Sequence, residues 1–589
     1  IHSCHGFAND SEIRDGRGRV LRLNSGNTFR FRPDGSEVEQ YTFGQVNPFG
    51  LAFDAWGDLY SSDCHSQPLY LLMRDGCYPS FGKPDDGLGF TPEVTLDDHG
   101  STGIAGVVVY EADHFPDTWR GTVFIGNPVT SRINHDRLEW NGSTPRVVRQ
   151  PDFVVSDDPW FRPVDLRLGP DGALYVADFY NRIIGHYEVP LTHPGRDRHR
   201  GRIWRIVHKG QGGQPLAPLV DRLQASVERL IADLDNANLE VRLTATHELV
   251  DRFQRDPDSG LDQRLLAALP SSRSRDEKGQ AASPVTSLTP LGRVHALWAL
   301  QRMGRLNDAL TRATADDSDP VVRTHLMRML GDRAATAWTE AVRALAHDGL
   351  NDPPARVARA AAEALSRHPQ ALSVVPLVTA IQATPASNDP LLRHGLRIAL
   401  RNQLRGDSVA AWERLEALGH DDPAVRAIAA DVAVGVPTAR AASFLMTCFE
   451  DKSNPIAPSR REATIRHVAR YGDDPVVETL IGWIAGEGVG DGPSAQVSAL
   501  LSYAEGTRQR GRSLNARAVE LARTTCQTLL EPAESQDEAI RDATDLAKNL
   551  KLASIHPDLL TFARQNARPA HHRAWALVAA AELDPAATI

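Results

Sequence analysis

Two rhythms of apolar and polar residues divide the chain. Up to residue 208, short alternating runs rich in Val, Ile, Leu and Tyr are broken by Gly, Pro and Asp, the pattern of strands and turns. One unit recurs, as GDLYSSD (57–63), GTVFIGN (121–127) and GALYVAD (172–178): a Gly turn, a short strand and a polar end. IHSCH (1–5) fits the same frame, which places strand starts at Ile1, Leu59, Val123 and Leu174, spaced by 58, 64 and 51 residues. A period of this length, with several strands per unit, predicts a long-bladed β-propeller. About three and a half blades are expected, and because propellers close as rings, the chain reads as a piece of a longer protein.

Beyond the strand GRIWRIV (201–207) the period changes to that of amphipathic helices. SDPVVR (318–323), NDPPAR (351–356), NDPLLR (388–393) and DDPAVR (421–426) place prolines at 320, 353, 390 and 423, a repeat of 33 to 37 residues. Asp or Asn supplies an N-cap oxygen, Pro stands in the first turn, and an apolar stripe follows. Val322, Leu326, Met329 and Leu330 share one face, as do Leu392, Leu396, Ala399 and Leu400. The pattern resembles HEAT or armadillo repeats. The fold class is therefore multidomain, a partial all-β propeller over 1–210 followed by an all-α solenoid over 216–589. The Ser-, Pro- and charge-rich stretch 270–288 reads as a surface loop within the solenoid.

Composition narrows the chemistry. A net charge of -10 with 24% charged residues lacks the basic footprint that phosphate backbones demand, so nucleic acid is excluded as a partner. There is no apolar run of membrane-spanning length, and residue 1 opens inside a strand-like stretch with neither an initiator Met nor a signal peptide. The five cysteines, at 4, 64, 77, 448 and 526, fit neither a disulfide scaffold nor a zinc spacing. Cys4-His5 matches the end of a CxxCH haem site, but Ile1 occupies the place of its first cysteine.

The polar residues that close the strand units, His5, Asp63, Asn127 and Asp178, are candidates for a ring lining the propeller mouth. Asx-type turn roles suit the same residues. Asp97, Asp98 and His99 are a candidate metal loop, with turn and capping roles as the alternative. SDDPWFRP (156–163) brings Asp158 and Trp160 next to Arg162 on a loop suited to facing substrate. His65, just past Asp63, is a further mouth candidate. His186 and His193 read as loop histidines, while His295, His325 and Trp298 read as solenoid core.

Several segments carry a family resemblance. DFYNRI (178–183) resembles the signature of NHL-type propeller repeats. GQVNPFGLAFD (44–54), RDGCYPSFG (74–82), IAGVVVYEADHFPDTWRGTVFIG (104–126), FRPVDLRLGPDGALYVAD (161–178) and GRIWRI (201–206) resemble, in order, segments of soluble quinoprotein glucose and aldose dehydrogenases. Over the whole chain, phrases such as NPFGLAFDAWGDLYSSDCH and ADFYNRIIGHYEVPLTHPGRDR are similar to the PVC-type membrane-bound dehydrogenases, which join such a propeller to HEAT repeats and commonly to a C-terminal cytochrome c.

The resemblance implies a six-bladed ring and an oxidation of a sugar or alcohol that uses pyrroloquinoline quinone and Ca²⁺. Electrons would pass to a haem partner, with haem c only in a C-terminal domain outside this chain. It implies a periplasmic or cell-envelope setting and a protein partner on the solenoid. By the same resemblance Asn47, Arg162 and Asp165 contact the cofactor, since quinone carboxylates pair with guanidinium groups. Val46 and Val164 stand where the family has arginines, and the family's catalytic His would precede residue 1, so this chain alone is expected to be inactive. The competing expectation is a non-catalytic propeller that binds carbohydrate or protein, with the solenoid as docking scaffold.

Overall fold

The computed structural model describes all residues except 96–97, 102, 186–188, 270–287, 406–408, 452–455, 487–491, 532–535 and 589. Asp97, His186 and nearly all of the stretch read as a solenoid loop thus lie outside the described residues. Among the described residues sheets come first and about twenty helices follow.

Four antiparallel sheets are arranged side by side. The first holds β1 (His2–His5), β4 (Asn27–Arg30) and β5 (Glu39–Phe43), with a hairpin of β2 (Asp10–Arg14) and β3 (Val20–Asn24) between its first two strands. The second is β6 (Pro48–Phe53), β7 (Leu59–Asp63) and β8 (Tyr70–Leu72). The third is β9 (Val107–Val109), β10 (Val123–Asn127), β11 (Arg132–Asn141) and β12 (Thr144–Arg149), with β13 (Val154–Val155) pairing β11. The fourth is β14 (Pro163–Leu168), β15 (Leu174–Asp178) and β16 (Arg202–Ile206).

The recurring Gly-turn strands are β7, β10 and β15, the second strand of each sheet. β7 and β10 are buried along their whole length. The innermost strands are β6, β9 and β14. They approach so closely that a Cβ on Gly50 would lie 2.7 Å from the Val107 nitrogen, and one on Gly106 would lie 2.6 Å from the Asp165 Cα. Only glycine permits that spacing. β1 runs beside β6 in the opposite sense: the Phe7 N–H beyond its end bonds Asn47, and His2 near its start packs edge-on against Phe53. It therefore matches the second strands, as the shared frame predicts. Cores fill the spaces between sheets, with Tyr60, Val107 and Ile125 between the second and third, and Phe124, Leu166 and Val176 between the third and fourth.

By packing, the chain divides into two units: Ile1–Pro369 with Thr379–Ala399, and Gln370–Val378 with Leu400–Ile589. The first contains the sheets and the first helices, among them α1 (Val227–Asp233), α2 (Leu239–Arg255), α3 (Leu261–Ala268), α4 (Pro290–Arg302), α5 (Asp308–Ala315), α6 (Pro320–Gly331), α7 (Glu340–Gly349) and α8 (Ala355–Arg367). Three of the four proline-anchored starts form as expected, as where Asp319 caps α6 by accepting the Val321 N–H with Pro320 in the first turn; at 351–356, α8 begins instead at Ala355, past Pro353, without a side-chain cap. Two of the motif-ending arginines, Arg323 and Arg426, and Arg293 in the first turns of α4 each reach an Asp further along the chain. Arg293 pairs with Asp317 at 2.8 Å, Arg323 with Asp352 at 2.7 Å, and, in the second unit, Arg426 with Asp451. These bidentate or charge-assisted contacts align successive helix pairs.

Within the first unit the sheets dock on the helices through the turns that link innermost to second strands and through the β11–β12 hairpin end. Asp58 receives Arg328 at 2.5 Å and Arg359 at 2.6 Å. Leu239, at the start of α2, donates its N–H to the Glu111 carbonyl, and Asn238 donates to the Gly169 carbonyl. Arg356 lies between the Trp56 and Trp140 rings. Asp389 accepts from the Ser143 N–H and hydroxyl and from the Thr144 hydroxyl. His325 is buried with its Nε2 3.0 Å from the Ala55 carbonyl, while its Nδ1 accepts the Trp298 indole N–H.

This arrangement makes stability pH-dependent. His325 must stay neutral to accept from Trp298, and burial holds its imidazole down at about 4. Its folded value lies below the unfolded one, near 6.5. Its contribution is therefore complete above pH 6.5 and is lost as the pH falls toward 4, in total about 3 kcal/mol. Denaturation midpoints measured between pH 7 and 4.5 should fall for the wild type and fall less steeply for His325→Gln. Equal slopes would refute the assignment.

Candidate functional site

The candidate site lies at the end of the sheets where the second strands finish, opposite the turns that dock on the helices. Asp63 closes β7 fully buried, accepting the Val46 and Asn47 N–H groups on one oxygen and that of His65 on the other, each at 2.9 Å. Asp178 does the same for β15, accepting from the Arg162 and Tyr180 N–H groups at 2.8 Å and from the Trp204 indole at 2.9 Å. Asn127 accepts the Thr130 N–H and donates to Asn134. The His5 ring lies between the Ser25 carbonyl, 2.6 Å away, and the Ser11 hydroxyl. Asp63 and Asp178 thus tie the end of a second strand to the residue that opens the innermost strand. All four residues end second strands rather than line the channel, because the strand that carries the repeat motif is not the innermost one.

Arg162 also turns inward. Its guanidinium donates to the carbonyls of Asn181, Pro128, Val129 and Arg182 and to the Ser131 hydroxyl, with only 8% of the residue exposed. It is a brace between the turns of the third and fourth sheets, and burial pulls its guanidinium below its usual range. The Asn47 amide is likewise engaged at both ends, accepting the Phe7 N–H and donating to the Cys64 sulfur. Asp165 sits on β14 and receives Arg167 at 3.0 Å. Val46 is buried and apolar. Pyrroloquinoline quinone presents carboxylates that call for guanidinium donors. The residues at these positions do not fit it, because the Arg162 fork is spent on five protein acceptors and the two other arginine positions are valines.

The remaining candidates separate. Asp98 is exposed and closes its own turn on the Gly100 N–H, whereas His99 is buried with its Nε2 2.8 Å from Asp136. These two described members of the proposed metal loop face different surroundings, because His99, at a positive φ of 53°, turns into the core. Asp158 is exposed and accepts the Trp160 N–H. His193 accepts the Gly195 N–H. Thiolate chemistry at this end is disfavoured, since burial pushes Cys4 up to about 12 and Cys64 up to about 11.

What this end does present is aromatic surface. Phe7 packs 5.0 Å from Phe81 and 6.2 Å from the exposed His65, and Phe81 is 61% exposed. Beside the fourth sheet, Trp160 lies 5.5 Å from Tyr180, Arg202 caps the Tyr180 ring at 3.2 Å, and Phe179 is 46% exposed. His65 and Trp160 come from the sequence-predicted set; Phe7, Phe81, Phe179 and Tyr180 do not. Their one local signal is position, in turns that follow or connect strands. A cavity of about 1150 Å³ runs inside the sheets, bounded by β1, β6, β9 and β14 and by Leu239, Leu243 and His247 of α2.

Residues 1–210 match the family described as Domain of unknown function (DUF7133). A curated relative, an uncharacterized protein of Synechocystis sp. (strain PCC 6803), is 26% identical over 196 residues, which is 28% of this chain and 43% of that protein. Among solved structures, an oxidoreductase of Thermus thermophilus described as a glucose dehydrogenase is 24% identical. The match covers 32% of this chain and 53% of that one, with a TM-score of 0.22. Another glucose dehydrogenase is 17% identical over 34% of this chain and 65% of its own, with a TM-score of 0.22. Importin beta is 13% identical over 60% of this chain and 51% of its own, with a TM-score of 0.34. The chain spans less than half of the curated relative and about half of the first of these dehydrogenases. Among the described residues no helix is long and apolar enough to cross a membrane.

Proposed function

We propose that this chain is a carbohydrate-binding propeller segment joined to a helical-repeat scaffold, built on a sugar-dehydrogenase type of framework whose quinone contacts have become structural. The observation that carries this reading is the commitment of Arg162 to five protein acceptors, at the position where the resemblance implies a cofactor contact. Exposed aromatic rings beside polar turn groups form a surface of the kind that stacks the apolar faces of sugar rings. On the resemblance, the setting is the periplasm or cell envelope, the ring has six blades when complete, and a protein partner docks on the helical repeats.

The test is to titrate the chain with a panel of sugars and oligosaccharides by calorimetry, alongside pyrroloquinoline quinone with Ca²⁺ followed by absorbance and dye reduction. A saccharide is expected to bind, about tenfold more weakly in Phe81→Ala or Phe179→Ala, the size of one lost aromatic contact. Stoichiometric quinone binding that Arg162→Ala abolishes would overturn the proposal in favour of sugar or alcohol oxidation with a haem acceptor. Failure of every sugar to bind would overturn it as well.

A further inference from the structure

In the second unit, the helices Asp537–Leu550 and Ala570–Leu583 pack side by side. Asp537 opens the first and His571 and His572 stand in the first turn of the second. Adjacent residues on a helix point about 100° apart. Yet both imidazoles reach the same oxygen: His571 Nε2 lies 2.9 Å, and His572 Nε2 2.7 Å, from Asp537 Oδ1. The three potential ligand atoms all lie within 4.8 Å of one another. His572 is 3% exposed and forms a fixed wall, whereas Asp537 and His571 are open to solvent.

We propose that Asp537, His571 and His572 bind one divalent transition-metal ion of the zinc class. Two imidazole nitrogens and one carboxylate oxygen suit zinc, copper and nickel, and the open side leaves room for water to complete the coordination. Ligation replaces the two N–H···O contacts. The Nε2 lone pairs and the carboxylate oxygen turn to the ion, each ring carries its proton on Nδ1, and each Nε2 moves out to about 3.4 Å from the carboxylate oxygen, as tetrahedral zinc requires. Among the described residues the His572 Nδ1 has no hydrogen-bond partner, so none of them ties that ring to one tautomer. The same lack of an outer acceptor sets a modest affinity.

Trp575 provides the readout, with its ring 5.0 Å from that of His571 and 5.5 Å from that of His572. Zn²⁺ alone, titrated calorimetrically into the metal-free chain, is expected to bind at one ion per chain. Asp537→Asn and His571→Ala should each weaken binding by at least about tenfold with helical circular dichroism unchanged. Cu²⁺ should quench a part of the fluorescence that Trp575→Phe removes. Two outcomes would show a hydrogen-bonded triad only and overturn the proposal: no Zn²⁺ binding, or binding of equal strength in both ligand variants.

Discussion

Asp58→Ala is expected to lower the stability of the first unit by about 3–5 kcal/mol, the cost of leaving buried guanidinium groups without their counter-charge. Asp58 is 2% exposed, and Arg328 and Arg359 both converge on its Oδ1. Burial pushes its carboxyl up, but the two guanidiniums dominate and hold it below the ordinary carboxylate range. The neighbouring Asp54 is driven the other way, by burial and by the Asp58 charge. Two further carboxylates secure the same docking: Glu39 with Arg30, Arg74 and Arg367, and Asp332 with Arg30 and Arg74. Chemical denaturation should show the loss, and solvent quenching should show Trp56 and Trp140 released from Arg356. Asp58→Asn, which keeps the shape and one acceptor, should fall between. Combining Asp58→Ala with Arg359→Met should recover part of the loss, because it removes one orphaned charge. A single variant as stable as the wild type would refute the latch.

Arg162→Ala should cost about 3 kcal/mol, since four backbone carbonyls and the Ser131 hydroxyl lose their donor in a largely buried setting. Lysine at this position should not restore it. One ammonium cannot present the planar fork that spans the turns 128–131 and 181–182. Hydrogen exchange should rise in those two turns and in the Tyr180 N–H held by Asp178, while the rest of the sheets stay protected. Unchanged stability would refute the brace. It would also return Arg162 to the cofactor role that the family resemblance implies.

The two variants separate what can be read along the chain from what cannot. Strand and helix identity were legible because they rest on short-range physics. A Gly turn followed by Leu-Tyr-Val alternation makes a strand wherever it occurs, and Asp-Pro opening an apolar stripe makes a capped helix. Arg323 and Arg426, which end two of those helix motifs, pair with an Asp 29 and 25 residues on, a partner that nothing local names. Asp63 and Asp178 each accept the N–H two residues on, a turn contact that the residue type itself suggests because an Asx turn closes within a few residues.

The site was less legible, for one reason throughout. Whether Arg162 meets a ligand or a carbonyl depends on turns that lie up to 34 residues away on another sheet. Which strand is innermost depends on how closely Gly50 and Gly106 let neighbouring sheets approach. Asp58 finds its partners 270 and 301 positions later, and His571 and His572 meet Asp537 only because two helices pack. The sequence by itself determined the elements, their order and the turns that end them, since those follow from local backbone preference and periodic burial. Only the tertiary structure decided which polar side chains are consumed in holding sheets and helices together and which stay open to a ligand. Burial imposes that choice: a charge taken from water must find the partners that folding places beside it.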